Sequence, residues 1–217
     1  MNDRKTLVVM GAGGFGPEVV WAAGQVNAVQ PTFDIVGYCD DEGSKKGGAI
    51  DGLPILGRPE EAPVPAGGIH FVCAIGSNSV RAKIVPRLLA LGWKPATVID
   101  PSVMVAPGVT VGEGTYVGAG CILAPHAAVG RHVIVNHHCS IGHNSTLEDY
   151  VQVSPGGRVS GACVLKEGAY LGSNAVVAQG KSLGRYAKLG ACSFAVSNIP
   201  DGATAIGIPA RVMMKSA

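Results

Sequence analysis

The residues best suited to proton transfer are six histidines, and three of them, His137, His138 and His143, fall within seven positions. An imidazole that removes a proton beside a backbone N–H that holds a developing oxyanion is the pairing acyl transfer needs. A second set lies near the start. Gly11-Ala-Gly13-Gly-Phe-Gly16 follows the apolar run Thr6-Leu-Val-Val-Met10 and precedes Pro17 and Glu18, residues that favour a helix start. This is GxGxxG between a strand and a helix, where backbone amides favour a phosphate. The same run also reads as a tight turn in a small Rossmann-like packing domain, and both readings stand at this point.

The elements that position these residues differ between the two halves of the chain. In the first half, Asp34-Ile-Val-Gly-Tyr-Cys39 reads as a strand ending in Asp40-Asp41, where a carboxylate can accept a ribose or base hydrogen bond. Ile69 through Ile75 reads as another, ending in Gly76-Ser-Asn-Ser79 before a helix through 80–91. All three loops fall at the carboxyl ends of parallel strands, the usual ligand side. One such half-unit, with no domain for hydride transfer after it, suits a mononucleotide such as a nucleotide-sugar better than a dinucleotide.

The second half is a six-residue repeat. Cut from Val98 in sixes, seventeen hexads follow without an inserted loop, and the second position is aliphatic sixteen times in succession, from Ile99 to Leu189. A period of six does not match the 3.6 residues of a helix turn. It matches short strands that each send one aliphatic inward before a corner rich in Gly, Asn and Pro. Three strands close a triangular coil, so residues 18 apart stack at roughly the ~4.8 Å strand spacing. Cys121 and Cys139 are predicted to stack as core filler. His143, fourth in its hexad, is predicted to sit at an outward corner with Gly161 one coil above it.

Composition excludes several classes. With 47% hydrophobic and 15% charged residues the chain is too apolar for disorder, yet no run reaches the ~18–20 apolar residues of a membrane span. A net charge of +2 without a basic stripe argues against nucleic acid as a partner. Met1 to Lys5 lead into a strand with no secretory core, and the six cysteines (39, 73, 121, 139, 163, 192) show neither CxxC nor metal-ligand spacing. A cytoplasmic protein with reduced, mostly buried cysteines is expected.

The repeat resembles the hexapeptide-repeat acyltransferase superfamily, whose members form left-handed parallel β-helices, usually as trimers with acetyl-CoA in the groove between neighbouring helices. The handedness comes from this resemblance, against the usual right-handed crossover. A Rossmann-like α/β domain (1–97) joined to a β-helix with a C-terminal tail (98–217) is similar to the bacterial sugar acetyltransferases of the bacillosamine, perosamine and sialic-acid pathways. The resemblance runs through the turn at 11–16, Asp40-Asp41, Gly76 to Arg81, His143, Ser154-Pro155-Gly156, Gly161 and Gly207-Ile-Pro-Ala-Arg211. It implies a homotrimer of glycan or O-antigen biosynthesis that acetylates a nucleotide-linked amino sugar, such as a 4-amino-4,6-dideoxy sugar, from acetyl-CoA and without a metal. Gly13, Gly14, Phe15, Asp40, Asp41, Gly76 and Ser79 then line the sugar-nucleotide pocket. Gln152, Gly161, Ser173 and Ala191 meet coenzyme A. His143 is the general base, helped by Asn144, and Gly161 supplies the oxyanion N–H.

Two departures stand out. Relatives often carry His where this chain has Gln152, and they usually place an acid directly after the catalytic histidine, where this chain has Asn144. An amide orients an imidazole but brings no charge, so Glu148 or Asp149 is a candidate substitute. The spacing of His138 and His143 also invites comparison with β-helical carbonic anhydrases, but Ser102 occupies the third ligand position. His137 and His138 are then rim residues beside the acceptor. Two rivals remain: O-acetylation of the sialic-acid type, and a non-catalytic trimer that binds sugar nucleotides.

Overall fold

The computed structural model describes residues 4–213. The first residues, 1–3, and the end of the C-terminal tail, 214–217, lie outside that range. The chain divides into two compact units, Met1–Pro101 and Ser102–Ala217. The division falls inside the first hexad, not before it, because Val98–Ile99 packs against the first helix and Val98 is fully buried.

The first unit runs β1 (Lys5–Met10), α1 (Phe15–Val29), β2 (Phe33–Cys39), a small hairpin of β3 (Ala49–Ile50) and β4 (Leu53–Pro54), β5 (His70–Cys73), α2 (Asn78–Ala90) and β6 (Lys94–Pro95). The main sheet has the order β2-β1-β5-β6 and is parallel throughout. Central β1 is covered on both faces, so Leu7, Val8 and Val9 are all fully buried and the strand reads as one apolar run. Helix α1 buries Val19, Ala22 and Ala23, spaced to lie on one face, and α2 buries Arg81, Val85 and Leu88 in the same way. The loops after β1, β2 and β5 lie at the carboxyl ends of their strands. Gly11 is required where the first leaves β1: its φ is +114° and a Cβ there would come within 2.8 Å of the Ala74 carbonyl oxygen.

The second unit is a β-solenoid built from two-residue strands. One sheet stacks Tyr116–Val117, Ile134–Val135, Gln152–Val153, Tyr170–Leu171 and Lys188–Leu189, closed by Thr204–Gly207 and the antiparallel Ala210–Val212. A second stacks Met104–Val105 through Phe194–Ala195, and a third Thr110–Val111 through Ser182–Leu183. The strands pair 18 residues apart, for example Ile122 with Ser140 and Thr146 with Val164, until the last coil, where Lys188 pairs with Thr204, 16 residues on. The second-position aliphatics from Val117 to Leu189 fill the interior.

At the corners, side chains knit successive coils together. Thr115 Oγ1 donates to the Gly130 carbonyl at 2.8 Å and Ser145 Oγ to the Ser160 carbonyl at 2.8 Å. Cys121 Sγ reaches the Asn136 carbonyl at 2.9 Å, and Cys139 and Cys163 reach those of Ser154 and Ala178, each at 3.2 Å. All five are sixth-position residues bonding 15 positions ahead. The stacked cysteines are therefore donors as well as filler. A hydrogen bond with Cys121, together with burial, pushes the Cys139 thiol up and keeps it protonated for that role. Five of the six cysteines are buried and Cys192 is exposed.

Corner glycines make room for the coil above. Gly114 has φ +73°, and a Cβ there would collide with the His132 ring, which stacks on Tyr150 at 5.6 Å between centroids. Gly202 has a similar φ of +68° with no atom within 4 Å of a built Cβ. Gly202→Ala is expected to cost about 1 kcal/mol of backbone strain. Gly114→Ala adds the displacement of His132, for a total of about 2–4 kcal/mol. Urea titration of both variants checks the ordering.

Candidate active site

His143 stands at the corner between Ser140–Ile141 and Thr146–Leu147. Backbone bonds tie this corner to its neighbours: Asn144 N–H donates to the Pro125 carbonyl at 3.1 Å and Ala162 N–H to the His143 carbonyl at 2.8 Å. The imidazole leans over Gly161, so a Cβ on Gly161 would collide with His143 Nε2. Gly161 has no left-handed backbone to accommodate, so its missing side chain serves the imidazole and not the turn.

The other ring nitrogen is held. His143 Nδ1 lies 3.0 Å from Asn144 Oδ1, and Asn144 adopts the left-handed conformation (φ +57°) that asparagine tolerates. With the amide oxygen accepting, Nδ1 carries the proton and Nε2 presents its lone pair beside Gly161. Neither carboxylate proposed as a substitute takes part. Asp149 accepts from Arg131 at 2.6 Å and from the Arg131 backbone N–H at 2.7 Å. Glu148 accepts from Glu167 N–H at 2.9 Å. Both lie at the next corner, and their lone pairs cap amides there.

Those caps expose a rule of the solenoid. The fourth-position N–H has no backbone acceptor, which is why Pro107, Pro125 and Pro155 fit there. Where that N–H exists, side chains often cap it: Asp149 at Arg131, Glu148 at Glu167, Asp201 at Arg185 and Asn136 at His137. At Gly161 no acceptor among the described residues does so, although the residue is buried. A buried donor is thus left available next to an imidazole lone pair.

Ser173 and Ala191 occupy a different corner, stacked with His137, His138 and Gly156. Gln152 projects from the sheet that leads into that corner from the side away from His143, and its Oε1 is buried with no hydrogen-bond partner among the described residues. One chain therefore does not gather all the expected coenzyme A residues around His143. Among the described residues no group of three His, Cys, Asp or Glu is arranged to hold a metal.

In the first unit, Gly13, Gly14 and Gly76 have ordinary backbone angles and nothing within 4 Å of a built Cβ. Neither conformation nor packing within the chain demands glycine at these places. Gly14 caps α1, Phe15 begins it, and Ser79 lies in the first turn of α2 with its Oγ 3.3 Å from that of Ser77. Asp40 is bonded to its own chain, as detailed below. Asp41 pairs with Arg87 at 2.9 Å and lines a cavity of about 600 Å³ with Arg58, Glu60, Glu61 and Arg87. Sequence reading missed Arg87 and Glu60: they are 27 residues apart, and nothing local links them.

The Arg87 fork grips both Glu60 oxygens, at 2.6 and 2.7 Å, and holds that carboxyl at about 2 against its ordinary 4.5. Because the folded value is depressed, this contribution is complete above pH 4.5 and drains as pH falls toward 2. Thermal melts should show Glu60→Gln less stable than wild type at pH 7, with the difference shrinking below pH about 4.

The first unit matches the PglD N-terminal domain over residues 6–88. The whole chain resembles the acetyltransferase domain of PglB from Neisseria gonorrhoeae, at 30% identity and TM-score 0.88, covering 97% of this chain and all of that one. That domain has also been solved in complex with acetyl coenzyme A, at 29% identity to this chain. The chain belongs to the hexapeptide-repeat sugar acetyltransferases, acetyl-CoA-dependent enzymes that join a Rossmann-like α/β unit to a β-helix. Its relatives include a GDP-perosamine N-acetyltransferase from Escherichia coli, 26% identical over 96% of both chains. A mutant perosamine N-acetyltransferase from Caulobacter crescentus, solved with CoA and GDP-perosamine, is 26% identical with TM-score 0.85, and 97% of each chain is covered. No helix among the described residues is long and apolar enough to cross a membrane.

Proposed function

We propose that this protein transfers the acetyl group of acetyl-CoA to the amine of a nucleotide-linked amino sugar, with His143 as general base. The observation that carries the reading is the corner itself, where His143 Nε2 leans over Gly161, whose N–H has no cap among the described residues. The acceptor amine loses its proton to Nε2 as its nitrogen attacks the thioester carbonyl. The oxyanion accepts the Gly161 hydrogen bond, and collapse expels the coenzyme A thiolate. Asn144 fixes the ring and its tautomer throughout. No serine or cysteine nucleophile is involved.

Gly13, Gly14, Phe15, Gly76 and Ser79 receive the nucleotide-sugar at the strand ends, with Asp41 beside them. Gln152, Ser173 and Ala191 meet coenzyme A. Because those three sit away from the His143 corner, the complete site takes His143 and Gly161 from one copy and the coenzyme A residues from its neighbour. That division supports a homotrimer, as do the outward-facing Met104 and Ile122, 66% and 46% exposed on one solenoid face. The relatives named for GDP-perosamine favour an amine acceptor over a hydroxyl one.

The test is thiol release from acetyl-CoA with a panel of UDP-, GDP- and dTDP-linked 4-amino sugars. Rapid release with at least one of them is expected. Release only with hydroxyl acceptors would replace this reading with O-acetylation. None with any acceptor would leave a binding protein. Light scattering should find three chains per particle.

A further inference from the structure

Asp40 directly follows β2, at the position where a Rossmann-like unit offers a carboxylate to a ribose. Here that carboxylate is turned onto its own chain. Its Oδ2 accepts the Ala12 N–H at 2.9 Å and the Lys45 ammonium at 3.1 Å, while Oδ1 accepts the Glu42 N–H at 2.9 Å. An ionised carboxyl has about four acceptor sites, and donors from within the chain occupy three of them. Its side chain is only 16% exposed.

We propose that Asp40 is a positioning residue that pins the glycine-rich turn for the nucleotide phosphates and does not itself touch the ribose. This rests on the nucleotide-sugar reading above. The turn has few other means of holding its shape, since Gly13 and Gly14 have no side chains to pack. Two successive amides anchor it to the end of β2: Gly11 N–H to the Cys39 carbonyl at 2.7 Å and Ala12 N–H to Asp40. A loose glycine turn loses conformational freedom when a ligand orders it, and that loss weakens binding. A pinned turn has lost it already. Lys45 adds to the device, because a bare carboxylate beside a diphosphate would repel it, and the ammonium, which also pairs with Glu42 at 2.9 Å, offsets part of that charge.

Asp40→Asn is the informative variant. It keeps the side chain's shape but has one acceptor oxygen, so the Ala12 and Glu42 amides cannot both be satisfied. Binding of UDP, GDP and their counterparts lacking both ribose hydroxyls is measured by calorimetry for wild type and variant. The substitution should weaken the ribose and hydroxyl-free forms alike, by about tenfold. Weakening confined to the forms with ribose hydroxyls would show direct contact and overturn the proposal. Hydrogen exchange of the Ala12 amide without ligand is the second readout, taken in Asp40→Ala, which leaves that amide no side-chain acceptor, and it should speed by about tenfold. Unchanged exchange would also overturn it. If wild type binds no nucleoside diphosphate, the nucleotide-sugar reading fails, and amide exchange still decides the role of Asp40.

Discussion

His143→Ala should slow acetyl transfer by about a hundredfold to ten-thousandfold, the contribution of a single positioned base. Activity should not vanish, because an amine is partly deprotonated on its own whereas a hydroxyl is not. Residual transfer in the variant should therefore climb as pH rises and free amine accumulates. Stability should change little, since His143 is an exposed corner residue whose side chain bonds only to Asn144 among the described residues. Stopped-flow thiol release across pH, set beside a thermal melt, separates loss of the base from loss of the fold. Wild-type rates in the variant would remove His143 from the mechanism.

Gly161→Ala is the sharper probe of geometry. One methyl would occupy the volume that His143 Nε2 now fills, so the ring must swing away from Gly161. A loss of about a hundredfold to a thousandfold in kcat is expected, comparable to removing an oxyanion donor. The substitution lies outside the first unit, so nucleoside diphosphate affinity should hold. The double variant His143→Ala/Gly161→Ala gives an internal check. With the ring gone the methyl has room, so the combined loss should fall well short of the product of the single losses. Full multiplication would mean that the two residues act independently and that the contact between them is incidental.

The solenoid was legible in the sequence because its period sets its register. A spacing of 18 puts Gly161 over His143, and the structure stacks them so. The same arithmetic holds the lesson about coenzyme A: Ser173 and Ala191 are 30 and 48 residues on from His143, neither a multiple of 18, and so belong to another corner. What the repeat could not show is which fourth-position amides carry caps. Asp149 and Glu148 looked free to assist His143, yet each is held by an amide 18 or 19 residues away. In the first unit the glycine-rich turn and the strand-end loops were readable as motifs. The Asp40–Ala12 pin and the Arg87–Glu60 fork were not, because contacts across 28 and 27 residues leave no local pattern. At Asp40 residue type and place suit a ribose ligand, and its hydrogen bonds run to the Ala12 and Glu42 backbone N–H groups.

Mass spectrometry of the acceptor shows whether the acetyl group arrives on nitrogen. The protein is incubated with acetyl-CoA and the nucleotide-linked amino sugar that supports thiol release, and the product is then treated with hydroxylamine. The account predicts a gain of one acetyl group that survives the treatment, as an amide does. An acetyl group that hydroxylamine removes, or no gain with any amino sugar, would contradict it.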